Sequence, residues 1–363
     1  MERFLACHPN VFAIHREYQI VVNVRGTGIC RLFVAGKEVY ESGSGVYATE
    51  RKVHKFSLPQ KLLDDAGEYT LSYRRVEQRK AYGTVPGEEE RATYLFYPLK
   101  KEENIRGVYL ADVHGNYNPS NYPQAERAAA AFGAADFYIV NGDIGEIETD
   151  EMLVEINAFI GRISGGVRPV VVGRGNHDTR GRLAERMPDH LATDGEKTYF
   201  SFTLGPISGV VVDCGEDKLD NNVEYGGLNW FEEFRRREAR NLSLMRLPDS
   251  KYKIAISHIP FMSNDSMKSC FDIMPETYAV FGRAINRMAP DFMLCGHSHH
   301  FEYYPVGDEG GKFYHNYPVV GASRMNGEGF GCTGFILHTG RAEFVRIGSD
   351  GKEVERFMLP LRH

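Results

Sequence analysis

The sequence predicts an α/β (α+β) protein in which a small all-β N-terminal segment, residues 1–100, precedes a larger segment with a layered sheet, residues 101–363. In the first hundred residues, short runs rich in β-branched and aromatic residues alternate with glycine turns. A charged stretch at 100–103 then forms a predicted linker. After it, apolar strand-like runs alternate with helical patterns, which is typical of a layered α/β sheet.

The N-terminal segment has strand character at 11–24, 29–34 and 69–74. Its turns are predicted from clusters of glycine and polar residues, at 26–28, 36–37, 42–45, 64–67 and 83–87. This spacing favours a β-sandwich, and residues 65–73 are similar to the corner and returning strand of an immunoglobulin- or fibronectin-like domain. We find no helical pattern of convincing length in this segment.

Composition limits the classes of partner that this chain is expected to bind. Apolar residues make up 42% and charged residues 25% of the 363, which is ordinary for a soluble globular protein. A formal net charge of -6 argues against nucleic acid or an anionic membrane as partner. The six cysteines are scattered without a C-x-x-C pair, which predicts free thiols in a reducing compartment. With no signal peptide or transmembrane pattern, we expect a cytoplasmic protein.

The second segment alternates strand and helix from residue 107 onward. Its predicted strands are apolar runs, at 107–111, 136–140, 167–172, 198–204, 208–214, 252–256, 291–295 and in the tail 312–358. Its predicted helices are 122–132, 149–163, 228–242 and 277–288. Thr149 or Asp150 is the predicted N-cap of the second helix. The third should bury Trp230, Phe231 and Phe234 and expose its arginines.

Five of these strands end in polar turns that carry metal-binding side chains. Asp112 and His114 are two residues apart, so in an extended segment they point the same way. Asp143 follows a glycine after the next strand, and its two carboxylate oxygens could bridge two cations. The other candidates follow the remaining three strands and are Asn176, His258, His297 and His299.

The donor set predicts which metal ions and which substrate the site would accept. Mixed oxygen and imidazole ligands suit Mn, Fe or Zn better than calcium or a structural thiolate zinc site. The positive charge of two divalent or mixed-valence ions would exceed the two negative charges of Asp112 and Asp143. The excess positive charge favours a small phosphorylated substrate.

The same turns, taken together and in order, resemble the signature of the calcineurin-like metallophosphoesterases. The matching blocks are Asp112-Val113-His114, Gly142-Asp143, Gly175-Asn176-His177-Asp178, Ser257-His258 and Gly296-His297-Ser298-His299. The resemblance implies a four-layer α/β/β/α sandwich and a hydrolase of phosphoric mono- or diesters, in which a metal-bound hydroxide attacks phosphorus. It also implies that one ion is held by Asp112, His114 and His299, the other by Asn176, His258 and His297, with Asp143 bridging.

The resemblance implies a different role for His177, which contacts phosphate and protonates the leaving oxygen. A cationic imidazole needs an acidic partner, and Glu146 is our candidate. Purple acid phosphatases have a metal-binding tyrosine at this position, so Glu146 argues against an Fe³⁺–tyrosinate centre, although the β-rich N-terminal segment is similar to theirs. Arg174 and Arg180 flank the turn and could either clamp a substrate phosphate or be surface charges.

Two other functions are consistent with parts of the sequence. A binding or scaffold protein could keep this fold, lose most catalysis and use the β-rich segment for a partner. The intact set of seven candidate ligands argues against that alternative. A nuclease is disfavoured by the net negative charge and by the lack of a tract rich in lysine and arginine.

Overall fold

The computed structural model describes residues 2–41, 43–262, 273–299, 301, 303–307, 314–321 and 330–362. Five of the six cysteines fall in these ranges and are free thiols, as predicted, whereas Cys270 lies outside them. Among the described helices, none combines the length and apolar character that a membrane span requires.

The described helices and strands follow the alternation that the sequence predicts. The strands are β1 (Asn10–Ile14), β2 (Glu17–Asn23), β3 (Gly28–Val34), β4 (Lys37–Val39), β5 (Val53–Pro59), β6 (Glu68–Lys80), β7 (Gly83–Leu95), β8 (Ile105–Leu110), β9 (Phe137–Asn141), β10 (Pro169–Gly173), β11 (Phe200–Leu204), β12 (Ile207–Val212), β13 (Tyr252–Ser257), β14 (Phe292–Cys295), β15 (Tyr303–Tyr304), β16 (Val319–Gly321), β17 (Cys332–His338), β18 (Arg341–Ile347) and β19 (Glu353–Pro360). The helices are α1 (Gln60–Ala66), α2 (Asn121–Phe132), α3 (Asp150–Ser164), α4 (Met187–His190), α5 (Phe231–Leu244) and α6 (Pro275–Met288). Short 3₁₀ turns lie at His177–Thr179, Ala184–Arg186 and Val223–Tyr225.

Two large sheets form the centre of the molecule. A nine-stranded sheet has the order β19-β18-β17-β8-β9-β10-β1-β2-β5, and β8, β9 and β10 are parallel within it. A six-stranded sheet has the order β11-β12-β13-β14-β16-β15, with β12, β13, β14 and β16 parallel. The parallel strands of each sheet end at one edge, where loops can place polar groups together.

The two sheets pack face to face and carry helices on their outer sides. Alternate residues of the six-stranded sheet face opposite sides of it. Ile254 and Leu294 belong to the core shared with the nine-stranded sheet, while Ala255 and Met293 pack with α5 and α6. On the other side, α2 and α3 pack together through Tyr122 and Phe159 and cover the nine-stranded sheet. The four-layer α/β/β/α sandwich is therefore confirmed.

The strands of the N-terminal segment divide between two sheets. β3, β4, β6 and β7 form a separate four-stranded sheet, whereas β1 pairs in parallel with β10 and so extends the nine-stranded sheet together with β2 and β5. Side chains from both sheets, such as Val22, Phe56, Leu32 and Leu71, belong to a single hydrophobic cluster. The segment therefore packs as a β-sandwich in which one layer is the four-stranded sheet and the other is part of the nine-stranded sheet. The division into domains at residue 100 stays a prediction.

Three local predictions differ from the structure. Residues 83–87 lie in the long strand β7 instead of a turn, and the register shifts opposite them accommodate Pro86. Helix α1 was not predicted because its seven residues are too few for a periodic pattern; it ends at Gly67, which has φ 66°. Around α5 the expected burial differs at two residues, since Trp230 is 57% exposed and the Arg235 side chain is fully buried, whereas the other arginines of the helix are exposed as predicted.

Helix α3 begins as predicted, with the Thr149 hydroxyl accepting from the Met152 amide. Asn157 on this helix contacts His190 of α4, donating to Nδ1 at 3.2 Å and to the His190 carbonyl at 3.3 Å. The His190 imidazole is buried, and burial lowers its pKa to about 4. His190 is thus neutral in the folded chain at neutral pH.

We expect this burial to make the folded chain less stable in acid. Below the ordinary histidine pKa of 6.5 the unfolded chain binds a proton that the folded chain excludes until about pH 4, so the free energy of unfolding falls across this window. The loss attributable to His190 is about 3 kcal/mol. Denaturant unfolding of metal-free protein at a series of pH values should show a shallower decline for His190→Asn than for the wild type. Identical slopes for both proteins between pH 6.5 and 4 would contradict this assignment.

Candidate metal centre

The predicted ligands lie where the parallel strands of both sheets end. Asp112 and His114 follow β8, Asp143 follows β9 and Asn176 follows β10, while His258 and the pair His297 and His299 follow β13 and β14 of the facing sheet. The two groups of loops meet at this edge: the His297 amide donates to Oδ1 and Oδ2 of Asp112 at 2.9 and 3.0 Å. All seven predicted ligands are thereby brought together.

Five of the seven have a left-handed backbone. Their φ angles are 57° at Asp112, 47° at His114, 51° at Asp143, 73° at His297 and 59° at His299. Such conformations cost about 1 kcal/mol or more for a residue with a Cβ, and they concentrate at functional sites. Asp112 and His114 converge through these turns, so the extended segment assumed from the sequence was wrong in conformation although correct in outcome.

Two glycines allow the loops to approach so closely. Gly142 has φ 79°, and a Cβ there would lie 2.4 Å from the Gly175 amide nitrogen. A Cβ on Gly175 would lie 2.3 Å from Oδ1 of Asp143. Both separations are far below contact distance, so only glycine fits at either position. The glycines that precede Asp143 and Asn176 are therefore explained by the packing of the β9 and β10 loops.

A first group of potential ligand atoms comes from Asp112, His114, Asp143 and His299, all within 4.8 Å of one another. The Nε2 atoms of His114 and His299 are 3.0 Å apart, and Nε2 of His299 lies 3.4 Å from Oδ1 of Asp112. Donors bound to one ion at about 2.1 Å stand roughly 3 Å from each other, so these separations suit a single metal ion.

A second group consists of Asp143, His258 and His297, with Asn176 beside them. Nε2 of His258 lies 3.3 Å from Oδ2 of Asp143, and Nδ1 of His297 lies 2.9 Å from Oδ1 of Asn176. Nδ1 of His258 is 2.8 Å from the Asn141 carbonyl, which as acceptor would hold the proton on Nδ1 and leave Nε2 as the ligand. Sequence reasoning did not identify this carbonyl, because backbone groups have no signature.

Asp143 belongs to both groups and is oriented to serve both. Its Oδ1 accepts from the His177 amide at 2.8 Å, which fixes the carboxylate. Its Oδ2 faces Nε2 of His258 at 3.3 Å and Nε2 of His114 at 3.6 Å. One oxygen is thus positioned between the two sets of imidazoles, as a bridging carboxylate requires.

The electrostatics of the site suit cations. Asp112 and Asp143 are buried side by side, and although burial opposes it, Asp143 and Asp112 raise the pKa of His258 to about 10. Burial, with smaller opposing contributions from the carboxylates, lowers the pKa of His114 and of His297 to about 4. The two neutral imidazoles can each offer a lone pair to a metal ion, and a divalent ion would neutralise the charge of the two buried carboxylates.

Asp178 supports the bridging residue from beneath. It is fully buried and accepts from four backbone amides, those of Asp143, Ile144, Gly145 and Gly175, at 2.8 to 3.3 Å. Burial and the neighbouring Asp143 carboxylate raise its pKa to about 6. Asp178 is therefore the anchor of the loop after β9.

His177 lies at the mouth of the centre with Glu146 beside it. Nδ1 of His177 is 3.1 Å from Oε1 of Glu146, and Nε2 is 3.9 Å from Oδ2 of Asp143. Nη1 of Arg180 is 3.3 Å from the same Nε2. Glu146 therefore lies where the proposed partner of His177 should be, while the roles of both residues stay predictions.

The two arginines occupy different positions. Arg174 donates from Nε to buried Asp213 at 2.8 Å and lies against the rings of Phe231 and Phe234. Arg180 forms a bidentate pair with Glu216, with both N–O distances 2.8 Å. Of these two arginines, only Arg180 contacts His177.

A buried network behind this region was missed by sequence reasoning. Arg235 donates to the backbone carbonyls of Cys214 and Glu216, which fixes the loop after β12. Glu238 accepts from the Asp213 amide at 3.0 Å, and burial with the nearby Asp213 charge raises its pKa well above the ordinary value. The signal was available, because residues 213–217 follow an apolar strand in the same way as the other polar turns.

Comparison with solved structures identifies the fold. A purple acid phosphatase from yellow lupin (Lupinus luteus) seeds is similar at a TM-score of 0.59 and 13% identity, covering 97% of this chain and 74% of that one. A dimetal phosphatase from Danio rerio has a TM-score of 0.49 and 10% identity, covering 72% and 100%. Vps29 from Entamoeba histolytica, as a single mutant, has a TM-score of 0.34 and 11% identity, covering 71% and 100%. At these identities the likeness concerns the fold alone.

The sequence comparisons are more specific. Curated proteins yield no match. The family model for calcineurin-like phosphoesterases matches residues 106–301, more than half of the 363. The matched span contains all seven candidate ligands as well as His177 and Glu146. This chain belongs to the calcineurin-like phosphoesterase family.

Proposed function

We propose that this chain is a dinuclear-metal-dependent hydrolase of small phosphate esters. The observation that supports this most directly is the position of Asp143, whose Oδ2 is shared between two groups of potential ligands. One ion would be held by Asp112, His114 and His299 and the other by Asn176, His258 and His297, with Asp143 between them. Mn, Fe and Zn all suit these donors.

The charges that the chain supplies favour an anionic substrate once the ions are bound. Two bound ions would polarise the phosphoryl oxygens and lower the pKa of a water molecule. Asp112 and Asp143 return two negative charges, which leaves the centre positive and able to attract a phosphate ester. The ordered backbone around Asp143 and Asp178 keeps the two ligand groups in fixed positions, so little reorganisation accompanies reaction.

His177 would complete the reaction by supplying a proton. Its Nδ1 is held by Glu146, and its Nε2 is directed toward Asp143 at the centre. As the bond from phosphorus to the ester oxygen breaks, Nε2 donates its proton to that oxygen and the alcohol leaves. In the neutral ring Nη1 of Arg180 donates to the same nitrogen, and its pair with Glu216 fixes the guanidinium, so Arg180 would orient the ring until Nε2 takes up the proton that it later donates.

The test of this function is an assay with defined metals. Protein loaded separately with Mn, Fe or Zn is given p-nitrophenyl phosphate and bis(p-nitrophenyl) phosphate, and metal content is measured by elemental analysis. We expect about two ions per chain and hydrolysis of at least one ester, lost on chelation and restored by metal. Full metal content without hydrolysis of either ester would instead favour the scaffold alternative.

A further inference from the structure

A groove of about 790 Å³ lies beside the candidate centre. Its walls are formed mainly by the loop before α5, by the first turns of that helix and by the segment after His177, including Arg180, Tyr225, Leu228, Trp230, Phe231 and Phe234. This volume falls within the range of pockets that hold small organic ligands, about 300–1,000 Å³. The metal ligands do not line it, so the groove is an additional feature of the site.

Arg180 joins the groove to the centre. This residue lines the groove, and its Nη1 is 3.3 Å from Nε2 of His177. Nε2 is the atom that would protonate the leaving oxygen under the proposed function. The alcohol part of a bound ester would therefore project from Nε2 past Arg180 into the groove.

The inner wall of the groove is electrically balanced. Arg174 is paired with buried Asp213, and Arg180 is paired with Glu216, so neither cation is left to attract an anion. At the rim, Glu185, Glu196 and Glu224 outnumber Arg182. This balance disfavours a second phosphate or a polyanion and suits an uncharged group.

Two large apolar side chains in the walls of the groove are exposed to solvent. Trp230 is 57% and Leu228 91% exposed, although both are large apolar side chains. Arg237 lies 4.4 Å from the Trp230 ring and covers one face of the indole. The rest of the ring remains accessible to a planar partner, and stacking on an indole is selective for flat aromatic groups.

From these observations we propose that the groove binds a planar aromatic group carried by the alcohol part of the substrate. The preferred substrates are then phosphate esters with an uncharged aromatic unit, such as an aryl or heteroaryl group, several bonds from phosphorus. This specificity rests on the proposed hydrolase function. Trp230 is the proposed specificity-determining residue, with Leu228 as a neighbouring apolar contact.

A matched pair of esters tests the specificity. Adenosine 5′-monophosphate and ribose 5-phosphate have similar leaving alcohols and differ by an aromatic base. We expect the wild type to prefer the nucleotide in kcat/KM and the preference to fall about tenfold in Trp230→Ala. Tyr82→Ala, at an exposed hairpin tip, is the control and should keep the preference of the wild type. Equal kcat/KM values for both esters in the wild type would overturn the proposal while leaving the hydrolase function intact.

Binding can be measured without turnover, since Trp230 is the sole tryptophan of the 363 residues. Titrating metal-loaded protein with adenosine should change the tryptophan emission saturably, whereas ribose should not. Leu228→Ser keeps the fluorophore and should raise the Kd for adenosine severalfold. An emission spectrum that stays unchanged throughout the adenosine titration overturns the proposal. A saturable change in a protein that hydrolyses neither ester would retain the aromatic site and reject the hydrolase function.

Discussion

In the Asp143→Ala variant we expect bound metal and phosphate ester hydrolysis to be lost together. Oδ2 of Asp143 is the oxygen that both ligand groups share, at 3.3 Å from Nε2 of His258 and 3.6 Å from Nε2 of His114. Its removal takes one donor from each group and one negative charge from between the ions. We expect hydrolysis to fall by about a thousandfold or more. Elemental analysis and initial rates with p-nitrophenyl phosphate measure both effects.

Two further variants separate metal loss from misfolding. His297→Ala removes a donor from the second group alone, so we expect partial metal content with equally poor turnover. Asp65→Ala removes an exposed carboxylate paired with Lys61, and should leave both quantities as in the wild type. Added metal should raise the melting temperature of wild type and of Asp65→Ala but not of Asp143→Ala. Near wild-type activity with two ions bound in Asp143→Ala would sink the bridging assignment.

The ligands could be predicted from sequence because each stands directly after an apolar strand. Parallel strands bring such positions to one edge of a sheet, so the order of short motifs carries three-dimensional information. The geometry that unites them could not be predicted in the same way. Left-handed φ angles at Asp112, His114 and Asp143 are imposed by the surrounding loops and run against the local preference of these residues.

Long-range pairing explains what the sequence did not predict in the fold. The parallel pairing of β1 with β10 joins residues about 160 positions apart, and no local pattern encodes it. The burial of Arg235 could not be predicted from local sequence either, since an arginine in an amphipathic helix is ordinarily solvated. Here the carbonyls of Cys214 and Glu216 satisfy its donors, so burial becomes favourable only in the assembled structure.

These tertiary contacts link the missed residues to the predicted ones. Arg235 fixes the loop that carries Glu216, Glu216 holds Arg180, and Arg180 contacts Nε2 of His177. The polar turn after β12 therefore acts on the predicted acid although it supplies none of the predicted metal ligands. The orientation of His177 depends on residues from both sheets, which makes its replacement a sensitive test of mechanism.

The His177→Ala variant should keep its metal but lose most activity toward esters of poorly acidic alcohols. None of the seven predicted ligands is altered, and the backbone amide that holds Asp143 remains. A general acid contributes about 10²–10⁴-fold when the leaving oxygen must be protonated. Nitrophenolate leaves without protonation, so p-nitrophenyl phosphate should lose far less rate than an alkyl phosphate. Rates for both esters and the metal content of the same preparation measure this difference.

Glu146→Gln provides the matched comparison for the proton. Glutamine retains the size of the side chain and an oxygen near Nδ1 of His177, but it removes the charge that would stabilise an imidazolium. We expect Glu146→Gln to slow alkyl esters more than nitrophenyl esters, as in His177→Ala, because the imidazolium that donates the proton loses its paired charge. An equal slowing of nitrophenyl and alkyl esters in His177→Ala would argue for phosphate binding in place of proton transfer. In that case Glu146→Gln should raise KM for both esters alike.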